Sequence, residues 1–513
     1  MAHLLLGIDV GTTGSKALLV DENGTVRASA THEYPMSSPK PLWAEQSPDD
    51  WWDATVLSIR DVLSGSGISP GDVAAVGLTG QMHGMVLTDA RGSVLRPCIM
   101  WNDQRTGEEC SAITGRIGEA RVLELTGNPV LPGFTAPKIE WVRKNEPEIY
   151  RKVAKVLLPK DFVRFKLTGA FATDVADASG TSLFNVGKRA WSEEMLAALD
   201  IPPGWMPDVT ESQIFSGKVD ADAATLTGLP EGTPVVAGAG DQAAQAVGTG
   251  IVREGVISVT LGTSGVVFVA SDSYRVEPEG RLHAFCHAVP GKWHLMGVML
   301  SAGGSFRWFR DTLGEAETST AKRDGRDPYD LLSEGAAQVP AGSEGLLFLP
   351  YLTGERTPYP NPNARAVFFG LTVRHTKRHM TRAVLEGVTF GLRDSLELTR
   401  ALGVAAREIR ASGGGARSGL WRQIMADIFG TEITTVNVTE GAAYGAALLA
   451  GVGSSAFGSV EEACQRVVTT TGAVRPGNAH RRYESYYERY RALYRALEGE
   501  FDAIARTSAS HPA

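Results

Sequence analysis

The chain has 513 residues, 43% hydrophobic and 21% charged, so it can bury real cores and is longer than one core usually organises. A net charge of −8 at pH 7 argues against coating a nucleic-acid backbone. The four cysteines, Cys98, Cys110, Cys286 and Cys464, include no C-x-x-C pair, which suits a reducing cytoplasm better than a disulfide scaffold.

The opening MAHLLLGIDVG lacks a charged n-region and its apolar run stops at Asp9, so neither a signal peptide nor a membrane span is expected. No later stretch reaches about 18 consecutive apolar residues. The expectation is a cytoplasmic protein with no membrane or nucleic-acid partner.

LLLGID (4–9) reads as a buried strand, GTTG as its tight turn, KALLVD as a returning strand, and ENGTV as a further hairpin turn with an Asn-Gly signal. GIDVGTTGSK has the composition of a phosphate loop but not the order of a P-loop, which needs Lys and a hydroxyl directly after its second glycine. Here Ser15 and then Lys16 follow Gly14, and an acid, Asp9, stands at the mouth. A carboxylate beside nucleotide phosphates is repelled unless a divalent cation lies between them. Asp9 therefore reads as a Mg²⁺ anchor acting through water, since Mg²⁺ keeps part of its hydration. Gly11 and Gly14 let the backbone turn toward phosphates, while Thr12, Thr13 and Ser15 offer hydroxyls and N–H donors, with Lys16 beside them. For one such loop alone, a plain hairpin turn is the competing reading.

SPDDWWDATVLSIRDVL (47–63) opens with Ser47 as N-cap and Pro48 at the first helical position, then shows apolar residues at helical spacing. VAAVGLTGQ (73–81) reads as a buried strand running into TGQMHG, where Gln81, Met82 and His83 supply a donor, a soft apolar surface and a hydrogen-bonding ring. WNDQR (101–105) follows with Trp101 and Asp103. Together these suit a polyol, whose hydroxyls want short polar side chains and whose C–H face wants an aromatic. Singly, each is ordinary core or loop material.

PVVAGAG feeds the helix DQAAQAVG (241–248). Gly238, Gly240 and Ala243 meet G-x-G-x-x-[GA], a dinucleotide fingerprint that is weak alone and belongs at the start of a domain. Asp241, where strand becomes helix, has two readings. It is either an N-cap worth about 1 kcal/mol, or a general base taking a proton from a substrate hydroxyl as that oxygen attacks a γ-phosphate.

VISVTLGTSGVVFVAS (256–271) repeats the opening plan, so Gly262 and Thr263 fall in a second loop like the first. Two copies of one unit imply a duplicated domain with a cleft between halves, divided as 1–249 and 250–513. HAFCH (283–287) invites a zinc reading, but its flanks read as strand and no fourth ligand is evident. EIRASGGGARSGLWRQIMADIFG (408–430) is strand, glycine turn and helix. Gly414 and Gly415 would let a flat purine lie on bare backbone, with Arg417 nearby, although a plain turn is the simpler reading. In RRYESYYERYRALYRAL (481–497), Tyr483, Tyr487, Tyr490, Tyr494 and Leu497 recur at helical spacing, which predicts a helix docked on the second domain rather than a nucleic-acid face. The last residues, RTSASHPA, are expected to fray. The class is α/β.

Taken together, GIDVGTTGSK, LWAEQSPDDWW, TGQMHG, WNDQR, GFTAPKIEWVRKNEPEIY (133–150), AGAGDQAA, LGTSG, FLPYLTGERTP (348–358), VFFGLT with RAVLEGV, and GGGARS closely resemble the FGGY carbohydrate kinases, over nearly the whole chain. GFTAPKIEWVRKNE and AVFFGLTVRHTKRHMTRAVLE look like two signatures of that family. The resemblance implies an α/β, two-domain actin-like ATPase (ribonuclease H-like) fold closing on ATP and sugar. It implies a catalytic base at Asp241, the acid of the metal and phosphate region at Asp9, and sugar contacts at Met82 and His83. Nucleotide contacts are implied on the loops around Thr12, Thr263 and Gly414.

The Met-His-Gly triplet favours a xylulose kinase over a glycerol kinase, which carries charged residues at those positions. D-xylulose as substrate, with ATP and Mg²⁺, is therefore implied, and a homodimer is compatible. Gln242, counted with the substrate-facing residues, follows the base where many xylulose kinases carry asparagine, which leaves fine sugar preference open. The rival from another class is an actin-like ATPase that uses ATP only to change conformation and lacks a small-molecule pocket.

Overall fold

The computed structural model describes residues 4–438 and 440–510. Leu4–Val10 (β1) is buried at nearly every position, the pattern of a strand covered on both faces. It pairs antiparallel with Gly14–Asp21 (β2), which pairs antiparallel with Val26–Glu33 (β3). The helix Pro48–Ser66 (α1) packs across β2 and β3. Ser47 takes the N-cap place of α1 as expected, but its side chain makes no capping hydrogen bond. Val73–Gly80 (β4) lies parallel to β1 on its other side. With Phe215–Lys218 (β5) and Pro234–Val236 (β6), the order is β5-β6-β4-β1-β2-β3. Ala239–Gly240 (β7) pairs with the end of β4 and delivers the helix Asp241–Gly248 (α2).

The second sheet repeats this wiring. Val256–Leu261 (β8) and Gly265–Ser271 (β9) form the hairpin that corresponds to β1 and β2. His283–Cys286 (β10) and Trp293–Met299 (β11) extend the antiparallel side, while Glu408–Ser412 (β12) and Ile433–Val436 (β13) run parallel on the other. With Thr470–Val474 (β14), the order is β10-β11-β9-β8-β12-β13-β14. The two Gly-Thr loops therefore occupy matching places in two like-wired sheets.

All strands of the first sheet precede residue 241 and all strands of the second follow residue 255, but the helices do not divide so simply. Gly441–Gly453 (α3) crosses back to pack on β1, β4 and α2. The approach is backbone to backbone. A Cβ on Gly7 would stand 2.0 Å from the Ala443 carbonyl oxygen, and one on Gly445 would stand 1.8 Å from that of Ala244. Leu5, Leu18 and Val236 of the first half share a core with Tyr444, Leu448 and Phe457 of the second. The linear division at residue 250 does not anticipate this return.

The last helix, His480–Ser510 (α4), buries Tyr483, Tyr487, Tyr490 and Tyr494 in the core of the second lobe. It continues through Arg506 to Ser510 where fraying was expected, and the final three residues lie outside those described. All four cysteines are buried and free. No described helix is long and apolar enough to cross a membrane.

Candidate active site

The GTTG turn between β1 and β2 is closed by a 3.0 Å hydrogen bond from the Gly11 amide to the Gly14 carbonyl. It is pinned from outside by three donors: the Tyr34 hydroxyl to the Gly11 carbonyl at 2.6 Å, Gln46 Nε2 to the Thr12 carbonyl at 2.8 Å, and Trp101 Nε1 to the Thr12 hydroxyl at 3.1 Å. Thr13 is exposed. Ser15 does not offer its hydroxyl to this loop. Strand alternation turns it away from the Lys16 face, and its fully buried Oγ meets Thr55 Oγ1 of α1 at 2.7 Å. Lys16 is ion-paired with Glu440, just ahead of α3, and so tethers the first loop to the returning helix.

Asp9, near the end of β1, has its Oδ1 buried with no partner among the described residues. Burial raises its pKa to about 6 against the opposing charge of Lys16.

Asp241 is the first residue of α2, and Gly240 takes the N-cap place. Asp241 is therefore not the N-cap residue, although its carboxylate is partnered by the Gln242 amide and side chain in the first turn. Burial first, and then the charge of Asp9, raise its pKa to about 7. The field of one acid thus reaches the other. Gly238 has φ 73°, and a Cβ there would stand 1.9 Å from the Leu78 carbonyl oxygen. Close packing of β7 on β4 explains this glycine without a dinucleotide.

Behind Asp241 lies a buried charge cluster that sequence reasoning missed. Lys160 Nζ is 2.5 Å from Asp161, 2.6 Å from Asp174 and 3.4 Å from Asp177, all fully buried. Arg164 adds a 3.1 Å contact to Asp161. Burial holds the Asp177 carboxyl well above its usual range, with Lys160 opposing and Asp174, Asp161 and Asp241 adding. A Cβ on Gly240 would meet Met82 Cγ at 2.8 Å and Asp177 Oδ1 at 3.2 Å, so this cluster underlies the junction of Asp241 with Met82.

Gln81 is buried, its Nε2 donating to Gln46 Oε1 at 3.1 Å while its own Oε1 has no partner among the described residues. His83 adopts a left-handed φ of 68°. Its Nδ1 donates to the Gly180 carbonyl at 2.7 Å, which leaves Nε2 as the acceptor. Burial lowers its pKa to about 3, so the ring is neutral. Its carbonyl is gripped by Lys138 Nζ at 2.9 Å and Thr135 Oγ1 at 3.1 Å. Lys138 also donates to the Gly133 carbonyl at 2.7 Å, and burial pulls its pKa down to about 7. The His83 ring rests on Phe134, centroids 4.6 Å apart, and faces Phe285 of the second lobe at 6.1 Å.

Trp101 is 44% exposed. Asp103 is fully buried and already occupied: it accepts from the Ala44 amide at 2.7 Å and the Arg105 amide at 2.9 Å, and grips the Arg105 guanidinium. It holds the Trp101 loop in place and does not present a carboxylate to a ligand, as its residue type had led us to expect.

In the second lobe, a cavity of about 350 Å³ gathers Gly262, Thr263, Gly414, Gly415 and Arg417. The Gly303 amide donates to the Gly262 carbonyl at 2.8 Å and Arg307 Nη2 to the Thr263 hydroxyl at 2.9 Å, fixing the second loop. Gly415 lies against Trp421, whereas a Cβ on Gly414 would meet nothing within 4 Å. Phe306, Tyr329 and Ser333 complete the wall, and no sequence signal singled them out.

Residues 4–248 match the N-terminal domain of the FGGY family of carbohydrate kinases and residues 257–454 match its C-terminal domain. The chain belongs to the FGGY carbohydrate kinases. Xylulose kinase from Escherichia coli (strain K12) is 42% identical over 495 residues, 96% of this chain and 99% of that protein. Gluconokinase from Bacillus licheniformis is 33% identical, covering 98% of each. The crystal structure of xylulose kinase from Rhodospirillum rubrum superposes with a TM-score of 0.91 at 32% identity, covering 97% of this chain and 100% of that one. This FGGY kinase therefore has the expected two-lobed actin-like ATPase fold. Its Gln46 and Lys138 lie in stretches that carry the resemblance, LWAEQSPDDWW and GFTAPKIEWVRKNE, but only the contacts reveal what they hold.

Proposed function

We propose that this FGGY kinase transfers the γ-phosphate of ATP in line to the primary 5-hydroxyl of D-xylulose, giving D-xylulose 5-phosphate and ADP. The observation that carries the reading is Asp241: an acid at the first position of a helix, raised to about 7, adjoining Met82 through Gly240 and within the field of Asp9. A carboxylate with that pKa is matched to general-base work near neutral pH. Asp241 accepts the hydroxyl proton, with Gln242 orienting its carboxylate. Gln81 Oε1 and His83 Nε2 accept from sugar hydroxyls, and Trp101 and Met82 cover its C–H face. The first loop, at Gly11, Thr12 and Thr13, and the second, at Gly262 and Thr263, hold the phosphates, while Gly414, Gly415 and Arg417 take the purine nucleoside. Closure of the lobes excludes the water that would otherwise hydrolyse ATP.

Mg²⁺ fits the orphaned Oδ1 of Asp9. Among the described residues no group of three or more His, Cys, Asp or Glu is placed to hold a metal alone, so Asp9 would hold it through water and phosphate oxygens, where it neutralises phosphate charge. The setting is the cytoplasm and the partner a free sugar, with a homodimer as the candidate assembly.

ADP release measured with D-xylulose, L-xylulose, D-ribulose, glycerol and gluconate tests the reading. D-xylulose is expected to give the highest kcat/KM. A better rival on that panel replaces the substrate, and no response to any of them removes the kinase reading.

A further inference from the structure

Arg356 lies in LTGERTP (352–358), outside both phosphate loops. Its loop is fixed to the edge of the second sheet. The Thr357 amide donates to the Val298 carbonyl at 3.1 Å, the Val298 amide to Thr357 Oγ1 at 3.2 Å, and Thr357 Oγ1 to the Arg281 carbonyl at 3.0 Å. The preceding acid, Glu355, is buried and turns Oε1 onto the amides of Leu300 at 2.9 Å and Arg356 at 2.7 Å. The guanidinium of Arg356 has no hydrogen bond and no ion pair among the described residues. It is nevertheless half-buried, and burial lowers its pKa, with Glu355 opposing. A cation partly withdrawn from water, with no protein acceptor among the described residues, gives up part of its hydration for no return. Such a cost is offset when a ligand supplies the missing acceptors.

Its position says which part of a ligand. Val298, to which the loop is bonded, packs with Phe134, Phe285 and Met296, the aromatic wall that carries the His83 ring. The Arg356 charge depresses both His83 and His283, but it is absent from the groups that set Asp241 and Asp9. Arg356 thus stands at the His83 end of the sugar site, away from the base. A substrate with its terminal hydroxyl at Asp241 presents its opposite end there.

We propose that Arg356 is a specificity-determining residue, contributed by the second lobe, that binds the oxo-bearing end of the substrate. The class of ligand is a polyhydroxy compound ending in paired acceptors: the ketone and adjacent hydroxyl oxygens of a ketose, or the carboxylate of an aldonate. A planar guanidinium fork matches two such oxygens. An alditol offers only hydroxyls at that end and gains less. Because Arg356 belongs to the second lobe while Asp241, Met82 and His83 belong to the first, the same contact links sugar recognition to lobe closure. This inference rests on the proposed phosphorylation of a sugar hydroxyl at Asp241.

The test is steady-state kinetics of the full-length enzyme and its Arg356→Met and Arg356→Lys variants with D-xylulose, D-gluconate and xylitol. Arg356→Met is expected to raise KM for D-xylulose, or for D-gluconate, about 10- to 100-fold. The kcat/KM for xylitol and the KM for ATP should stay within about threefold. If D-xylulose suffers most the group served is the ketose end, and if D-gluconate suffers most it is the carboxylate. Arg356→Lys should rescue the carboxylate better than the ketose, since it restores charge without the fork. Equal losses on xylitol and D-xylulose, or no loss on either oxo compound, overturn the proposal. Because the side chain has no hydrogen bond or ion pair among the described residues, Arg356→Met should melt no lower than the parent, and thermal melts check this. If the parent phosphorylates none of the three, D-xylulose falls as the substrate. Calorimetric titration of D-xylulose and D-gluconate into parent and Arg356→Met then decides Arg356 by itself, equal affinities sinking it.

Discussion

Replacing Asp241 with Asn separates the two consequences of setting an acid at the start of α2. The folded-state pKa is raised from 3.8 to about 7, a difference equivalent to about 4 kcal/mol against the ionised form. Asp241 keeps some contact with solvent, which reduces this to about 1–3 kcal/mol. The sign follows from proton linkage: the folded protein binds the proton more tightly than the unfolded chain. The ionisation cost is therefore absent below the unfolded value of 3.8, grows as pH rises, and is complete above about 7. Asparagine carries no charge, so Asp241→Asn should melt above the parent at pH 8, by a margin that shrinks toward pH 5. Gly240 holds the cap position, so no cap is lost. Turnover should nevertheless fall about 10²- to 10⁴-fold, the usual worth of a general base. Coupled assays of ADP release and thermal melts at the two pH values give both numbers. Near-normal turnover, or a lower melting temperature at pH 8, refutes the assignment.

Because the base must be ionised, kcat/KM for the sugar should fall about tenfold per pH unit below about 7, and a flat profile between pH 5 and 8 would exclude Asp241 as the titrating group. Lys138→Met removes the donors that hold the His83 and Gly133 carbonyls, and a loss of about 1–3 kcal/mol should appear as a sugar KM raised about tenfold or more. An ATP KM that rises in parallel would show general damage instead. Gly238→Ala places a Cβ 1.9 Å from the Leu78 carbonyl oxygen at a φ of 73°, so a destabilisation of about 2–5 kcal/mol is expected in denaturant melts. A variant as stable as the parent would mean that β7 does not need this approach.

The duplicated architecture was legible because it rests on local rules. The strand, Gly-Thr turn and strand at 4–21 recur at 256–271, and the period of buried residues and the turn chemistry act over a few residues each. The candidate nucleotide glycines at 262, 414 and 415 were legible for the same reason, and one cavity gathers them. Residue type alone misjudged Ser15 and Asp103. A hydroxyl and a carboxylate announce what they can bond but not what they face, and the register of β2 and the grip of Arg105 decided that.

The sequence by itself determined the α/β class, the two repeated loops and the short list of acids able to do chemistry. Tertiary structure alone decided that Asp241 falls one residue inside α2 rather than at its cap, that α3 returns to the first sheet, that Lys138 holds the His83 loop, and that the Arg356 guanidinium has no hydrogen bond or ion pair among the described residues. The reason is physical: propensity and pattern depend on near neighbours along the chain. Burial, charge pairing and pKa are instead sums over neighbours in space, some of which lie tens or hundreds of positions away along the chain, as His83 does from Lys138 and Asp9 from Asp241.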